Sequence, residues 1–254
     1  MQLPPKPHDV TQAAATLAAR LRERAPRVHC ITNTVAQNFT ANVLLAAGCV
    51  PSMTLSPEEI GGFVACADAL LVNLGTFDAE RRAAAGIAID TAAKAGKPWV
   101  LDPVFIDRSA PRADFARTLI ARGPNVVRLN RAEFGALATD ASPEAYARAH
   151  KSIVALSGET DLVTDGARTV KIANGHPLMG KVTAMGCAAS ALVAAALAVE
   201  RNALLAAAAA LMLIGIAGEI AAEGAKGPGS FTAAIIDAIY GLDAETIASR
   251  AKVS

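Results

Sequence analysis

Residues 174–199 read NGHPLMGKVTAMGCAASALVAAALAV, and within them polar loop chemistry gives way to a buried helix. A polar, Gly-containing turn at 181–186 leads into an Ala-rich apolar run, which predicts a helix from about residue 187. The first turn of a helix presents main-chain N–H groups without intrahelical acceptors, aligned with the positive end of the helix dipole. Such an end attracts phosphate, so Ala184, Met185 and Gly186 make a candidate anion hole. Cys187 falls in that first turn, where the same dipole can lower a thiol pKa, and Ser190 follows closely. The alternative is a plain loop before a core helix, with Cys187 as a small buried hydrophobe.

Upstream, short β-branched runs alternate with helical patterns. Strands are expected at 28–32, 50–54, 69–74, 99–101 and 125–129. Helices are expected at 10–24, 34–47, from Ser56, at about 79–95 and after Asn130, the last containing Glu133. Repeated strand–helix alternation predicts a mostly parallel sheet covered by helices on both faces, with a ligand crevice at the carboxyl ends of the strands. Asn33, Met53, Gly75, Thr76, Asp102 and Asn130 all stand at or just past such ends. After Tyr146 the pattern changes to short strands at 152–156, 162–165 and 169–172, with Asp165-Gly166 as a hairpin signal. Helices at about 187–200, 203–223, 229–240 and 244–252 complete the reading.

Composition fits this plan. The 254 residues are 53% hydrophobic but only 4% aromatic, so the core must be closely packed Ala, Val, Leu and Ile, consistent with a single α/β domain over 1–254. A net charge of +1 gives no electrostatic reason to expect nucleic acid or a membrane as partner, and leaves small polar ligands. Four cysteines without a C-x-x-C pair argue against a disulfide framework or a zinc knuckle and for a reducing cytoplasm. The Pro-rich start, MQLPPKPHDV, lacks the apolar core of a secretion signal. The uncharged run 203–218 is closed by Glu219 and Glu223 before the ~20 residues a membrane helix needs, and is expected to be buried all round.

Seven segments in order, VHCITNTVAQNFTANVLLAAG (28–48), PSMTLSPEE (51–59), ADALLVNLGT (67–76), LDPV (101–104), VVRLNRAEF (126–134), SGETDLVTDG (157–166) and NGHPLMGKVTAMGCAASAL (174–192), resemble the hydroxyethylthiazole kinases of thiamin salvage. The resemblance implies a ribokinase-like three-layer αβα sandwich with a mostly parallel central sheet. It implies transfer of the ATP γ-phosphoryl group, with Mg²⁺, to the hydroxyl of 4-methyl-5-(2-hydroxyethyl)thiazole, in a homotrimer with sites at subunit boundaries. Met53 falls on the thiazole-contacting methionine, with Asn33 and Gly75-Thr76 on nearby substrate positions. Arg128 falls on the nucleotide-binding arginine and Ser157 on a nucleotide-binding position usually held by Thr. Asp102 and Glu133 fall on the magnesium carboxylates. Cys187 falls on the family cysteine, where related sugar kinases place an aspartate base.

Taken without the family, Met53 serves equally as core filler, Asn33 as a helix cap and Asp102 as a turn residue, and Arg128 could form a structural ion pair with Glu133. His29 and His176 read as structural. Three departures from the family pattern stand out. Ala184 replaces the first glycine of the turn, at a position shared by the substrate-binding set and the anion hole. Phe105-Ile106-Asp107-Arg108 replaces a small Gly-rich loop, so that Arg108 would contact phosphate or fill the pocket. The segment between Leu137 and Ser152 is short, which would leave one wall of the nucleotide site open. These keep in view a kinase for another small alcohol, or a catalytically weak thiazole- or nucleotide-binding protein. Restoring glycine at 184 is expected to raise turnover with stability unchanged or slightly lowered.

Overall fold

The computed structural model describes residues 6–254; the first five, part of the Pro-rich start, lie outside the described residues. Helix α1 (Pro7–Arg24) begins at a proline, whose missing N–H loses nothing at a helix start, and ends at Ala25 in left-handed conformation. Strand β1 (Arg27–Ile31), α2 (Gln37–Ala46), β2 (Val50–Ser52), α3 (Ile60–Cys66), β3 (Ala69–Asn73), α4 (Ala79–Lys94), β4 (Trp99–Asp102), α5 (Ala110–Ile120) and β5 (Val126–Asn130) follow. Then come α6 (Arg131–Leu137), α7 (Pro143–His150), β6 (Ile153–Ser157), β7 (Asp161–Thr164), β8 (Thr169–Ile172), α8 (Met185–Val199), α9 (Ala203–Gly224), α10 (Pro228–Gly241) and α11 (Ala244–Arg250).

One eight-stranded sheet runs in the order β2-β1-β3-β4-β5-β6-β7-β8, parallel from β2 to β6 and antiparallel over the last two pairings. The Asp165-Gly166 hairpin lies where expected, Gly166 taking a positive φ. Every residue of β3 is buried, and alternate side chains enter opposite layers: Ala69 and Leu71 join the core with α1, α2, α8 and α9, while Leu70 and Val72 join the core with α3, α4 and α5. Two apolar cores on one sheet make the expected three-layer sandwich.

Several boundaries differ from the sequence reading. The strand expected at 50–54 stops at Ser52, because it is an edge strand carrying Pro51, which cannot donate to a ladder. Helices α5 and α7 had no counterpart in that reading; each is short with proline near its start. Helix α9 matches the expected helix at 203–223 and runs for 22 residues through Glu219 and Glu223, so that it is long and apolar enough to cross a membrane by length and composition, contrary to the reading that these carboxylates close it too early. Most of its apolar window is buried in the core, as a central helix requires. Helix α8 starts at Met185 and packs across β1, β3 and β4, which brings its N-terminus to the carboxyl ends of those strands.

Candidate active site

A buried polar network occupies that meeting point. Asp102 closes β4 and Asn73 closes β3, and the two are register partners in the sheet. Asn73 Nδ2 donates to Asp102 Oδ2 at 2.7 Å and to Cys187 Sγ at 3.3 Å. Its Oδ1 accepts the N–H of Gly75 at 2.9 Å. Ser190, one turn along α8 from Gly186, donates to the same Asp102 oxygen at 2.8 Å. Among the described residues, Asp102 Oδ1 accepts no hydrogen bond, so a buried carboxylate keeps one oxygen free toward the crevice. Burial pushes the Asp102 carboxyl up to about 6; the Arg128 guanidinium draws it down and Glu133 pushes it further up.

Glu133 is buried and joins two loops. One oxygen accepts the N–H of Asn130 at 2.8 Å, completing a capping box on α6, and the other accepts the N–H of Phe105 at 3.0 Å. A carboxylate has about four acceptor sites, so both oxygens retain capacity for a cation or its waters. The described residues hold no cluster of three or more metal-ligating side chains. Two carboxylates, one with a free oxygen, fit an ion that keeps most of its waters and takes the rest of its ligands from phosphate, as magnesium does.

Beside this network lies a cavity of about 710 Å³, lined among others by Arg128, Ser157, Met185, Gly186, Leu211 and Ile214. Arg128 projects from β5 toward the start of α8. A Cβ built on Gly186 would lie 2.7 Å from Arg128 Nη1, so only glycine allows the guanidinium to approach the helix end this closely. Arg128 Nε is buried without a protein partner, and the guanidinium forms no salt bridge among the described residues. The structural ion pair with Glu133 is therefore absent, and the cation faces the cavity. The N–H groups of Met185, Gly186 and Cys187 have no main-chain acceptor, the first helical bond being that of Ala188 to Ala184. An arginine fork and a helix N-terminus on one wall form a site for a polyanion.

The remaining expected residues divide between this cavity and a second group. Asn33, Gly75 and Thr76 stand together: Thr34 N donates to Thr76 Oγ1 at 3.3 Å, and a Cβ on Gly75 would lie 2.5 Å from Asn33 Cβ. Asn33 also caps the turn that follows it, accepting from Val35 N. Met53 is half-buried against the core after the edge strand and is not part of the cavity. His29 holds the segment on either side of Met53, bonding to Ser52 Oγ at 2.8 Å and Thr54 O at 3.1 Å, and burial lowers its pKa to about 4, as a neutral structural imidazole requires. Ser157 donates weakly to Leu129 O and lines the cavity.

Two expectations are corrected, and two other positions are placed. Cys187 is not acidified: burial pushes its thiol up to about 12 and the Asp102 carboxylate adds to this, outweighing the Arg128 charge. Arg108 neither enters the cavity nor fills it; its side chain is 76% exposed, pairs with Asp107 and lies over the Phe105 ring. The short segment before Ser152 carries α7, which packs on β6 and β7, and none of its residues lines the cavity. Ala184 takes φ +70°, a conformation that disfavours any Cβ, so the alanine itself is strained.

Sequence reading gave no role to Asn73, although an amide ending an apolar strand before Gly-Thr is the available signal. It also passed over Arg112, whose Nη1 ties Gly75 O to Val104 O at 3.2 and 3.0 Å.

The sequence matches the model of the hydroxyethylthiazole kinase family over residues 18–245. It is 47% identical over 241 residues to a probable hydroxyethylthiazole kinase from Agrobacterium fabrum, covering 94% of each chain. It superposes on a hydroxyethylthiazole kinase structure from Pyrococcus horikoshii OT3 with a TM-score of 0.92 at 38% identity, covering 96% of this chain and 98% of that one. A ribokinase-like superfamily protein from Enterococcus faecalis, 15% identical with a TM-score of 0.64 over 86% of this chain and 88% of that one, shares the fold.

Proposed function

The chain belongs to the hydroxyethylthiazole kinase family, and from that premise we propose that it transfers the γ-phosphoryl group of ATP to the hydroxyl of 4-methyl-5-(2-hydroxyethyl)thiazole, residues 1–254 acting as one kinase domain. The observation that carries the reading is Arg128, a cation without a hydrogen-bond or salt-bridge partner among the described residues, set against the open N-terminus of α8 and next to the Asn73–Asp102–Cys187 network. In this reading the triphosphate lies along Arg128 and the N–H groups after Ala184, with Ser157 on the nucleotide wall. Asp102 and Glu133 hold Mg²⁺ through carboxylate oxygens and water, and the ion neutralises phosphate charge when bound. The thiazole alcohol lies by Asn33, Gly75 and Thr76, its hydroxyl directed at Cys187.

A thiol pushed up to about 12 does not act as a base at neutral pH. The reaction does not require one. Phosphoryl transfer through a loose transition state depends on position and charge neutralisation, so the hydroxyl proton leaves late. Cys187 then serves as a neutral, compact surface beside the nucleophile, kept in place by Asn73. The N–H groups of Met185 and Gly186 meet the charge on the transferring group.

In this reading the protein is a homotrimer with shared sites, in which Met53 joins the substrate at a subunit boundary. Consistent with this, Val35, Leu45, Val50 and Phe63 are exposed around the β2 end of the sheet. All four cysteines are free thiols, as suits the cytoplasm. The decisive assay incubates the protein with thiazole alcohol and MgATP, follows ADP and thiazole phosphate, and measures mass by light scattering. The expected result is stoichiometric phosphorylation by a particle three times the 25.9 kDa chain. Binding without ADP release would leave a binding protein; a fully active monomer would remove the shared site.

Ala184→Gly is expected to raise kcat by up to about 10-fold, because glycine relieves the left-handed strain and lets substrate approach the main chain at the helix start. Stability is expected to rise slightly, reversing the sign read from sequence. Relief of a left-handed alanine is worth ~1–2 kcal/mol, against ~0.4–1 kcal/mol for the added freedom of the unfolded chain. Steady-state kinetics and thermal melts check both; lower kcat together with a lower Tm would mean that the alanine is fitted to this turn.

A further inference from the structure

One wall of the same cavity is held by a part of the chain that lies beyond the family match. Residues 252–254 run antiparallel to β8: Ala173 N donates to Lys252 O at 2.8 Å, and Lys171 and Ser254 exchange N–H···O bonds at 2.8 and 3.0 Å. This short ribbon covers the outer edge of the sheet. Its effect reaches the cavity through Asn174, which is buried, lines the cavity and packs so closely on α9 that a Cβ on Gly215 would lie 2.7 Å from its carbonyl oxygen. Asn174 Oδ1 accepts the N–H of Lys252 at 2.8 Å, and Nδ2 donates to Arg250 O at 2.8 Å and Glu219 Oε1 at 3.1 Å. Glu219 Oε1 also accepts Gly175 N and Lys252 Nζ, both at 3.0 Å.

The wall at 173–176 therefore gets its position from the tail and α9 together. β8 ends at Ile172, so the sheet ladder does not reach Asn174 or Gly175. Loops without a ladder are held by side chains or move. Here the holding groups are one buried amide, one carboxylate of α9 and the main chain at 250–252.

We propose that the C-terminal residues 250–254 are a positioning element for the nucleoside end of the donor site, acting through Asn174 and setting affinity for ATP without affecting the thiazole alcohol. The inference rests on reading the 710 Å³ cavity as the nucleotide site. Arg128 and the helix end serve the phosphates; the wall set by Asn174 serves the base and sugar. In this reading the tail acts on that wall through Asn174 and not on Arg128 or Cys187, so its loss is felt by one part of one substrate.

Lys252→Pro tests this, because proline deletes the one N–H that Asn174 Oδ1 accepts and keeps the carbonyl that Ala173 uses. Ala251, at φ −60° and ψ 127°, already has the conformation that a residue before proline prefers. The expected result is a KM for MgATP raised about 10-fold, as follows from leaving one buried acceptor unpaired. KM for the thiazole alcohol and the Kd for inorganic tripolyphosphate should stay within about 2-fold. Asn174→Ala, which removes the anchor from the wall side, should give the same split if the proline variant fails to fold. Lys252→Met restores the N–H and should bring KM for MgATP back. Unchanged KM for MgATP in a folded variant, or equal shifts for both substrates, overturns the proposal. Arg128→Ala run alongside separates the two readings: if it weakens MgATP binding and the tail variants do not, only the positioning role fails, whereas no effect from Arg128→Ala removes the nucleotide site itself.

Discussion

Replacing Arg128 by alanine is expected to weaken MgATP binding by about 100-fold while changing affinity for the thiazole alcohol by less than about 3-fold, an effect near 2.7 kcal/mol on one ligand alone. The guanidinium sits against the start of α8, where a Cβ at residue 186 would crowd Nη1, and its Nε has no hydrogen-bond partner among the described residues. A charge left this way in a half-buried strand is stabilised by an anion that binds it or is carried at a loss. Removing it should therefore not destabilise the free protein; a neutral or slightly raised Tm accompanies the loss of affinity. Arg128→Lys restores charge but not the planar fork, and should recover only part of the binding. Titration calorimetry with MgATP and with thiazole alcohol measures each arm. Unchanged ATP affinity with a lowered Tm would make Arg128 a structural residue, held by the coulombic attraction of Asp102 and Asp161.

Asp102→Asn is expected to lower kcat on the order of 10²- to 10³-fold, the size associated with removing one preorganised electrostatic group from a transfer site. The same change should make the protein more stable at pH 7.5. The sign follows from the direction of the shift. Burial raises the folded carboxyl to about 6, above the value near 3.9 of an unfolded aspartate. Between those values the folded state holds a proton that the unfolded state has released, so stability falls as pH rises from about 4 to about 6. Above that window the wild type carries a penalty on the order of 3 kcal/mol that a neutral amide avoids. An asparagine oxygen can still accept from Asn73 or Ser190, which keeps the network connected. In activity the same group gives an acid limb: kcat/KM should decline below about pH 6, and the limb should vanish in the variant. Melts across pH 4 to 8 and pH–rate profiles test the pair of claims. A variant that is both inactive and less stable would make Asp102 a packing hub whose loss disorders the strand ends.

Much of this was legible in the chain itself. Strand ends marked by Asn33, Gly75, Asp102 and Asn130 lie along one rim of the sheet because parallel strands joined by helices all finish on the same side. The Asp165-Gly166 turn, the Ala-rich helices and the start of α8 beside the strand ends likewise follow from local chemistry. The shared family motifs added roles that no spacing gives.

What the sequence by itself determined is the set of local preferences: which segments are strands or helices, which face of each is apolar, and which polar residues stand at the ends. Only the tertiary structure decided how those polar residues act on one another. Cys187 has the sequence position of an acidified thiol, yet burial beside Asp102 raises it, because desolvation and a neighbouring carboxylate outweigh the helix dipole. Arg128 and Glu133 are close enough in sequence to pair, yet Glu133 takes main-chain N–H groups and Arg128 turns to the cavity. Asn73 and Asp102 become partners through strand register, and Asn174 and Lys252, 78 positions apart, through the closing of a sheet edge. Hydrogen bonds and charge interactions depend on distance in space and on exclusion of water, and neither quantity exists until the layers have packed.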